Sequence, residues 1–324
     1  MTLWLSRRVL QAILIVIAMT AVVFVAVNVI GDPVEMLISP EASQIERVHV
    51  MKTFGLDQPL WRQYLSFLHG VVHGNAGNSF VYGESAIKVI LEKMPATVEL
   101  AICGLILSIL VGVPLGLYAG LRPESLFSKT SMSLSIVGFS LPSFWVGLLL
   151  IMVFAVNLGW FPSSGRGQTI ALLGAQWSLF TFDGLKHLVL PAGTLALFET
   201  SLVMRLTRAG VSEVLPMEYV KFARAKGLTE TRIIFVHIFK NTLIPVVTVM
   251  GLEFGSLIAF SVVTETVFAW PGMGKLIIDS IDKLDRPVIV AYLMMIAFLF
   301  VSINLLVDVL YTLLDPRVRI RSQD

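Results

Sequence analysis

Six stretches of this chain are apolar for long enough to cross a bilayer: approximately Val9 to Ile30, Thr97 to Gly120, Ser131 to Asn157, His187 to Leu206, Thr242 to Val263 and Val288 to Leu313. A helix rising about 1.5 Å per residue needs about 20 such residues to cross roughly 30 Å of hydrocarbon. The pattern predicts an all-α polytopic membrane protein with six transmembrane helices. Within the second stretch Gly104, Gly112, Gly116 and Gly120 recur at multiples of four, on one helix face, and Gly251 with Gly255 repeats that spacing in the fifth. Small residues let helix backbones approach in lipid, so the stripe is a packing face, either within the chain or at a subunit seam. Pro114 and Pro142 each remove a backbone donor and predict kinks.

Composition agrees. Of 324 residues, 56% are apolar and 14% charged, and mean hydropathy is +0.83, too little polar surface for a soluble globule. The dense basic stripe of a nucleic-acid binder is missing. Cys103 lies in an apolar run and reads as a small hydrophobe. Arg7 and Arg8 precede the first stretch as in a signal peptide, but no small-residue cleavage pattern follows closely, so the segment reads as retained.

Charge placement orients the spans. Arg7 and Arg8, Arg122 and Lys129, the Arg205 to Lys240 connection, and Arg317, Arg319 and Arg321 all belong on the cytoplasmic side. Both termini are then inside. The expected organisation is residues 1–31 with the first span, an external segment 32–96, a core 97–313 containing a cytoplasmic loop 204–240, and a tail 314–324. Trp160, Trp177 and Trp270 suit an interfacial belt.

Polar groups at membrane depth cost a few kcal/mol unless paired or wet. Glu199, about two turns before Arg205, Glu253, and the i, i+4 pair Asn304 and Asp308 are the examples here. They read either as translocation-pathway groups or as pairs that fix helix positions. His69 and His73 also stand at i, i+4, but Gly70 and Gly74 weaken the helix that would align them, so no metal site is expected.

The loop from Met204 to Lys240 reads as helix, turn, helix. Pro216 fits a first helical position, Glu218 favours the positive end of the dipole, Arg224 and Lys226 the negative end, Gly227 the C-cap, and Thr229 can cap the second helix. A short helix offering Phe222, Ala223 and Ala225 suits docking into a groove on another protein.

Here Glu218-Tyr219-Val220-Lys221-Phe222-Ala223-Arg224-Ala225-Lys226-Gly227 resembles the "EAA loop" of ABC importer permeases of the dipeptide, oligopeptide and nickel group. Gly55-Leu56-Asp57-Gln58-Pro59-Leu60 with Gln63-Tyr64, His73 to Gly77, Pro95 to Leu100, Glu265 to Gly274, Asn304 to Asp308 and Leu314 to Arg317 match the same group in order, over nearly the whole chain. In the broad pattern a Glu lies where Lys221 stands, so coupling is assigned to the helix and its turn rather than to one acid.

The resemblance implies the type I ABC importer permease fold and a B-type subunit of a peptide transport system. It implies pairing with a second, C-type permease, two cytoplasmic ABC ATPases and an external substrate-binding protein in the bacterial inner membrane. Coupling would fall to Tyr219, Phe222, Ala223, Arg224, Ala225, Lys226 and Gly227. Glu199, Glu253, Glu265, Trp270, Pro271, Gly272, Gly274, Asn304 and Asp308 are candidates for the pathway or its gating. The substrate would be di- or oligopeptides, with nickel chelates, glutathione or another small solute as alternatives. No Gly-x-x-x-x-Gly-Lys-Ser/Thr loop occurs, so ATP and Mg²⁺ would be held by partner subunits and this chain would be no enzyme. A reading from another class, an ion-coupled secondary transporter, would use Glu199, Glu253 and Asp308 as a relay.

Overall fold

The computed structural model describes residues 2–29, 44–53 and 57–314. Gly55 and Leu56, the tail from Asp315 with its three arginines, and the side chain of Asp308 lie outside what it describes. In chain order the helices are α1 (Thr2–Val29), α2 (Gln44–Thr53), α3 (Leu60–Val72), α4 (Ala86–Leu121), α5 (Leu126–Ser140), α6 (Ser143–Leu150), α7 (Phe182–Val214), α8 (Glu218–Ala225), α9 (Phe239–Val267), α10 (Met273–Asp282) and α11 (Arg286–Leu314). π-helical turns at Ile151–Asn157 and Ile233–Ile238 follow α6 and lead into α9. A short antiparallel hairpin, β1 (Ile170–Leu172) and β2 (Ala175–Trp177), precedes α7.

Among the described residues four helices are long and apolar enough to cross a membrane: Ala86–Leu121, Phe182–Val214, Pro245–Val267 and Arg286–Val307. α1 adds the shorter apolar stretch Leu10–Val25. The expected third span is not one helix. Its halves, Leu126–Ser140 and Ser143–Asn157, meet at 107°. Pro142 has no N–H to continue α5 and drives the residue before it out of the helical region, so Leu141 is extended at φ −81°, ψ 140°. At Pro114, by contrast, α4 continues without a break.

The chain forms two compact units, Met1–Glu92 with Leu276–Ser302, and Lys93–Lys275 with Ile303–Asp324. In the larger one α7 is the hub, packed against α4, α5, α6 and α9. The glycine stripe of α4 lies on α7, so the seam is inside the chain. A Cβ at Gly112 would come within 2.8 Å of Val203 Cβ, one at Gly116 within 2.7 Å of Thr207 Cβ, and one at Gly120 within 2.6 Å of Val211 Cβ. Gly104 meets Leu195 at the same offset, so α4 and α7 run parallel in register. Parallel neighbours require the chain between them to recross the membrane once. The bent pair α5 and α6 is the apolar segment between them, and with it as one span the described residues are compatible with the six-span reading. Gly251 of α9 is held against Val307 of α11 in the same way.

In the smaller unit α3 lies against α1. Thr20 Oγ1 and Tyr64 Oη are 2.9 Å apart, and the Phe24 ring sits 5.4 Å from Tyr64 and 5.8 Å from Phe67. The rest of α3 presents Leu60, Trp61 and Leu65 outward, a composition suited to the bilayer interface. The buried Asp285 carboxylate accepts from the Ser79 hydroxyl and from Phe80 N at 3.1 Å, and the same hydroxyl accepts from Tyr82 N at 2.9 Å. This cinches a turn whose Phe80, Val81 and Tyr82 side chains point to the outside.

Candidate functional site

Two regions of the larger unit carry the motifs. The first is α8 with its flanking turns. The helix starts at Glu218 with Met217 as N-cap, so Pro216 stands in the preceding turn and not at the first helical position. It stops in a full Schellman arrangement: Gly227 N donates to Arg224 O at 2.9 Å and Leu228 N to Ala223 O at 3.3 Å, with Gly227 at φ +74°. Lys226 is therefore the C-cap and Gly227 the residue after it. Thr229 precedes the next turn without a side-chain cap bond.

The inner face of α8 is fully used. Val220 and Ala223 pack with Val211 and Val214 of α7 and with Ile233 and Ile238 of the π turn, and Leu117 and Leu121 of α4 close the cluster. Ala223, expected to be on offer to a partner, is buried at 4% exposure and supports the helix from below. What faces outward is Phe222, 61% exposed, with Tyr219, Ala225 and Lys226. Lys226 Nζ stands 4.6 Å above the Phe222 ring, and Arg224 Nε pairs with Glu230 at 2.9 Å. Asn241 Nδ2 donates to Tyr219 Oη at 2.9 Å, joining α8 to the start of α9.

The second region lies where α4 and α7 begin and α9 ends. It ties two of the sequence motifs together. Glu265 is fully buried and accepts from Thr97 Oγ1 at 2.7 Å, Ser261 Oγ at 3.0 Å and Lys275 N at 2.9 Å. Thr97 Oγ1 in turn accepts from Met273 N at 2.8 Å, and Trp270 Nε1 donates to Ala96 O at 2.9 Å. The glycines are there for space: a Cβ on Gly272 would overlap the Glu265 carboxylate, and one on Gly274 would come within 2.6 Å of Val262 Cα. Between the buried Phe268 and Trp270, Ala269 takes φ +46°, a conformation costing an L-residue about 1–2 kcal/mol.

Beside this knot sits a second carboxylate. Glu99 accepts from Arg166 Nη2 at 2.7 Å, from Ser178 Oγ at 2.8 Å and from the Leu179 amide; its own side chain is 0% exposed and that of Arg166 10%. Arg166 also donates to Gln176 O at 2.6 Å and lies 5.7 Å over the Trp270 ring. Sequence reasoning did not single out Arg166 or Glu99 as site residues. The available signal was an arginine between two glycines, Gly165 and Gly167, in an otherwise Ser- and Gly-rich loop.

The intramembrane acids are placed differently. Glu199 does not pair with Arg205, whose guanidinium lies 5.2 Å over the Phe139 ring. Its Oε2 is buried with no hydrogen-bond partner among the described residues. Glu253 on α9 is partly buried, as is Asn304 on α11.

Long apolar helices with a short loop helix seated on the ends of two of them fit a membrane permease. The chain belongs to the family of binding-protein-dependent transport system inner membrane components: residues 112–320 match the model of that description, and residues 1–101 match its N-terminal companion. It is 38% identical to the di/tripeptide transport system permease protein DppB of Pseudomonas aeruginosa (strain UCBPP-PA14), with 98% of each chain covered. The dipeptide transport system permease protein DppB of Escherichia coli (strain K12) is 37% identical over 98% of both chains. The oligopeptide transport system permease protein AppB of Bacillus subtilis (strain 168) is 38% identical, over 98% of this chain and 99% of its own. Among solved structures the MetNI methionine ABC transporter, in inward-facing conformations, aligns with a TM-score of 0.52 over 70% of this chain and 96% of that one; at 16% identity this likeness is one of fold.

The chain is thus a multi-pass membrane permease subunit of an ABC importer, working with an ATPase and a substrate-binding protein as that class does.

Proposed function

We propose that this chain, with a second related permease of C type, lines the import pathway for di- or oligopeptides, and that α8 is the contact through which two cytoplasmic ATPases drive it. One observation carries the proposal: α8 is seated on the ends of α7 and α4 through Val220 and Ala223 while Phe222, Tyr219 and Lys226 remain outward. ATP and Mg²⁺ would be held by the partner subunits and supply the driving force. In this chain the outward residues receive the push, the Gly227 stop keeps the helix short, and the apolar cluster beneath passes the displacement to α7 as a rigid body. α7 carries α4 along the glycine seam.

On this reading both termini and residues 204–240 are cytoplasmic, the segment 32–96 and the turn from Phe268 to Gly274 are external, and 97–313 is the transporting core. An external binding protein delivers solute there. Glu265, Trp270, Pro271, Gly272 and Gly274 hold the external ends of the spans together, and Glu199, Glu253, Asn304 and Asp308 are the polar groups offered to the pathway. Peptide is favoured over nickel chelates or glutathione because the relatives of near-full-length match carry dipeptide, di/tripeptide and oligopeptide names.

Co-expression with the neighbouring permease, ATPase and binding-protein genes tests it. The complex should co-purify and hydrolyse ATP faster with peptide-loaded binding protein. Gly227→Pro, which fixes φ near −65° and removes the donor to Arg224, should abolish that stimulation and leave membrane insertion intact. Uphill solute movement by the isolated chain, or full stimulation in Gly227→Pro, would overturn the assignment.

A further inference from the structure

His69 and His73 take no part in the machinery above. The glycines that follow them do not loosen their helix. Gly70 is required because a Cβ there would come within 2.8 Å of Asn75 O, and Asn75 N donates to Gly70 O at 2.8 Å in the chain reversal that ends α3. α3 therefore runs ordered through Val72, with His73 as its C-cap. The two imidazoles lie together on its exposed side, ring centroids 4.2 Å apart.

The orientation of His73 is specific. Its Nδ1 lies 2.8 Å from the carbonyl of His69. A carbonyl can only accept, so Nδ1 carries a proton, and in the neutral ring this leaves the lone pair on Nε2, the arrangement that orients metal-bound imidazoles. The ring nitrogens of His69 have no hydrogen-bond partner among the described residues. Metal–nitrogen bonds of about 2.0–2.1 Å need two donors roughly 3 Å apart, and histidines at i and i+4 are the helical spacing that can bring two imidazoles to one ion. Two imidazoles side by side on an exposed helix end have no evident packing role, since neither ring is buried.

We propose that His69 and His73 together bind one borderline divalent cation, Cu²⁺, Ni²⁺ or Zn²⁺, through one nitrogen of each ring. Among the described residues no third His, Cys, Asp or Glu completes a cluster. The remaining positions are thus filled by water or by a donor from outside the chain. An open two-nitrogen site suits Cu²⁺ and Ni²⁺ better than the closed tetrahedral set of structural zinc, and Cu²⁺ should bind most tightly.

The test uses the full chain, free of any histidine tag, in lipid nanodiscs titrated with Cu²⁺ and followed by electron paramagnetic resonance. One tight equivalent with two-nitrogen coupling is expected. His69→Ala, His69→Gln and His73→Ala should each weaken it roughly 10–100-fold and remove one nitrogen from the spectrum. His187→Gln should leave it unchanged, and the metal-free melting temperature of the His69 and His73 variants should stay close to that of wild type, because both rings are exposed. Wild-type uptake only at millimolar Cu²⁺, or equal affinity in the His69 and His73 variants, would overturn the site.

Discussion

The indole Nε1 of Trp270 donates to the carbonyl of Ala96 at 2.9 Å, across 174 positions of chain. With Thr97 bonded to Glu265 and Met273 bonded to Thr97, it makes the motif that opens the transporting core and the motif that follows α9 into one hydrogen-bonded object. Buried polar groups in such a network are costly to strand, which gives the region its predicted sensitivities.

Replacing Glu265 by Ala removes the acceptor of the Thr97 hydroxyl and of the Lys275 amide, while the Ser261 hydroxyl can turn to Ile258 O at 2.9 Å. Each such loss costs about 1–3 kcal/mol. The variant should melt well below wild type in detergent, whereas Trp270→Phe, which takes one donor from an Ala96 carbonyl that remains within the α4 helix, should fall by less. Equal melting temperatures for Glu265→Ala and wild type would show that the carboxylate is dispensable.

Glu99 and Arg166 should behave as a coupled pair. Removing either alone leaves the other charge buried, at about 3–5 kcal/mol, while Glu99→Leu combined with Arg166→Met should recover only the unpaired-charge part of that loss, because the Ser178 hydroxyl and the Leu179 amide lose their acceptor with Glu99. Thermal unfolding of the four forms closes the cycle. Additive losses would mean that the two side chains act independently.

Along the seam between α4 and α7, Gly116→Leu and Gly120→Leu should prevent assembly of the core, because side-chain volume would overlap Thr207 and Val211. Gly193, which has nothing within 4 Å of its Cβ position, should accept Ala. Fluorescence-detected size exclusion of the three variants separates the outcomes.

On α8, two neighbouring positions should give opposite results. Phe222→Ala removes an exposed ring and should weaken ATPase co-purification while leaving the melting temperature within about 0.5 kcal/mol of wild type in stability. Ala223→Leu overpacks the cluster of Val211, Val214 and Ile233 and should destabilise the chain itself by about 1–3 kcal/mol. Loss of co-purification in neither variant would remove α8 from the interface.

The spans, the glycine stripe and the stop at Gly227 were all legible in the chain, because each depends on spacing along one helix or on the φ demanded at one residue. So was the interruption at Pro142, though not its extent: a missing donor announces a break, and only packing against α7 and α9 determines that the break opens to 107°. The six-span count itself draws support from the parallel register of α4 and α7, which no local pattern encodes.

The partners of charged and polar side chains were decided by tertiary structure. Arg166 reaches Glu99 over 67 positions, and Glu265 reaches Thr97 over 168. Periodicity carries no information on such meetings, because any of several donors could have filled each carboxylate. The inward turn of Ala223 and the contact of the His69 and His73 rings belong to the same class. The sequence by itself determined which segments enter the membrane and where a short helix must stop, since hydropathy and backbone sterics act locally. Which face of that helix is buried, and which distant residues neutralise one another, arose only when the helices packed, since those energies exist between segments and not within them.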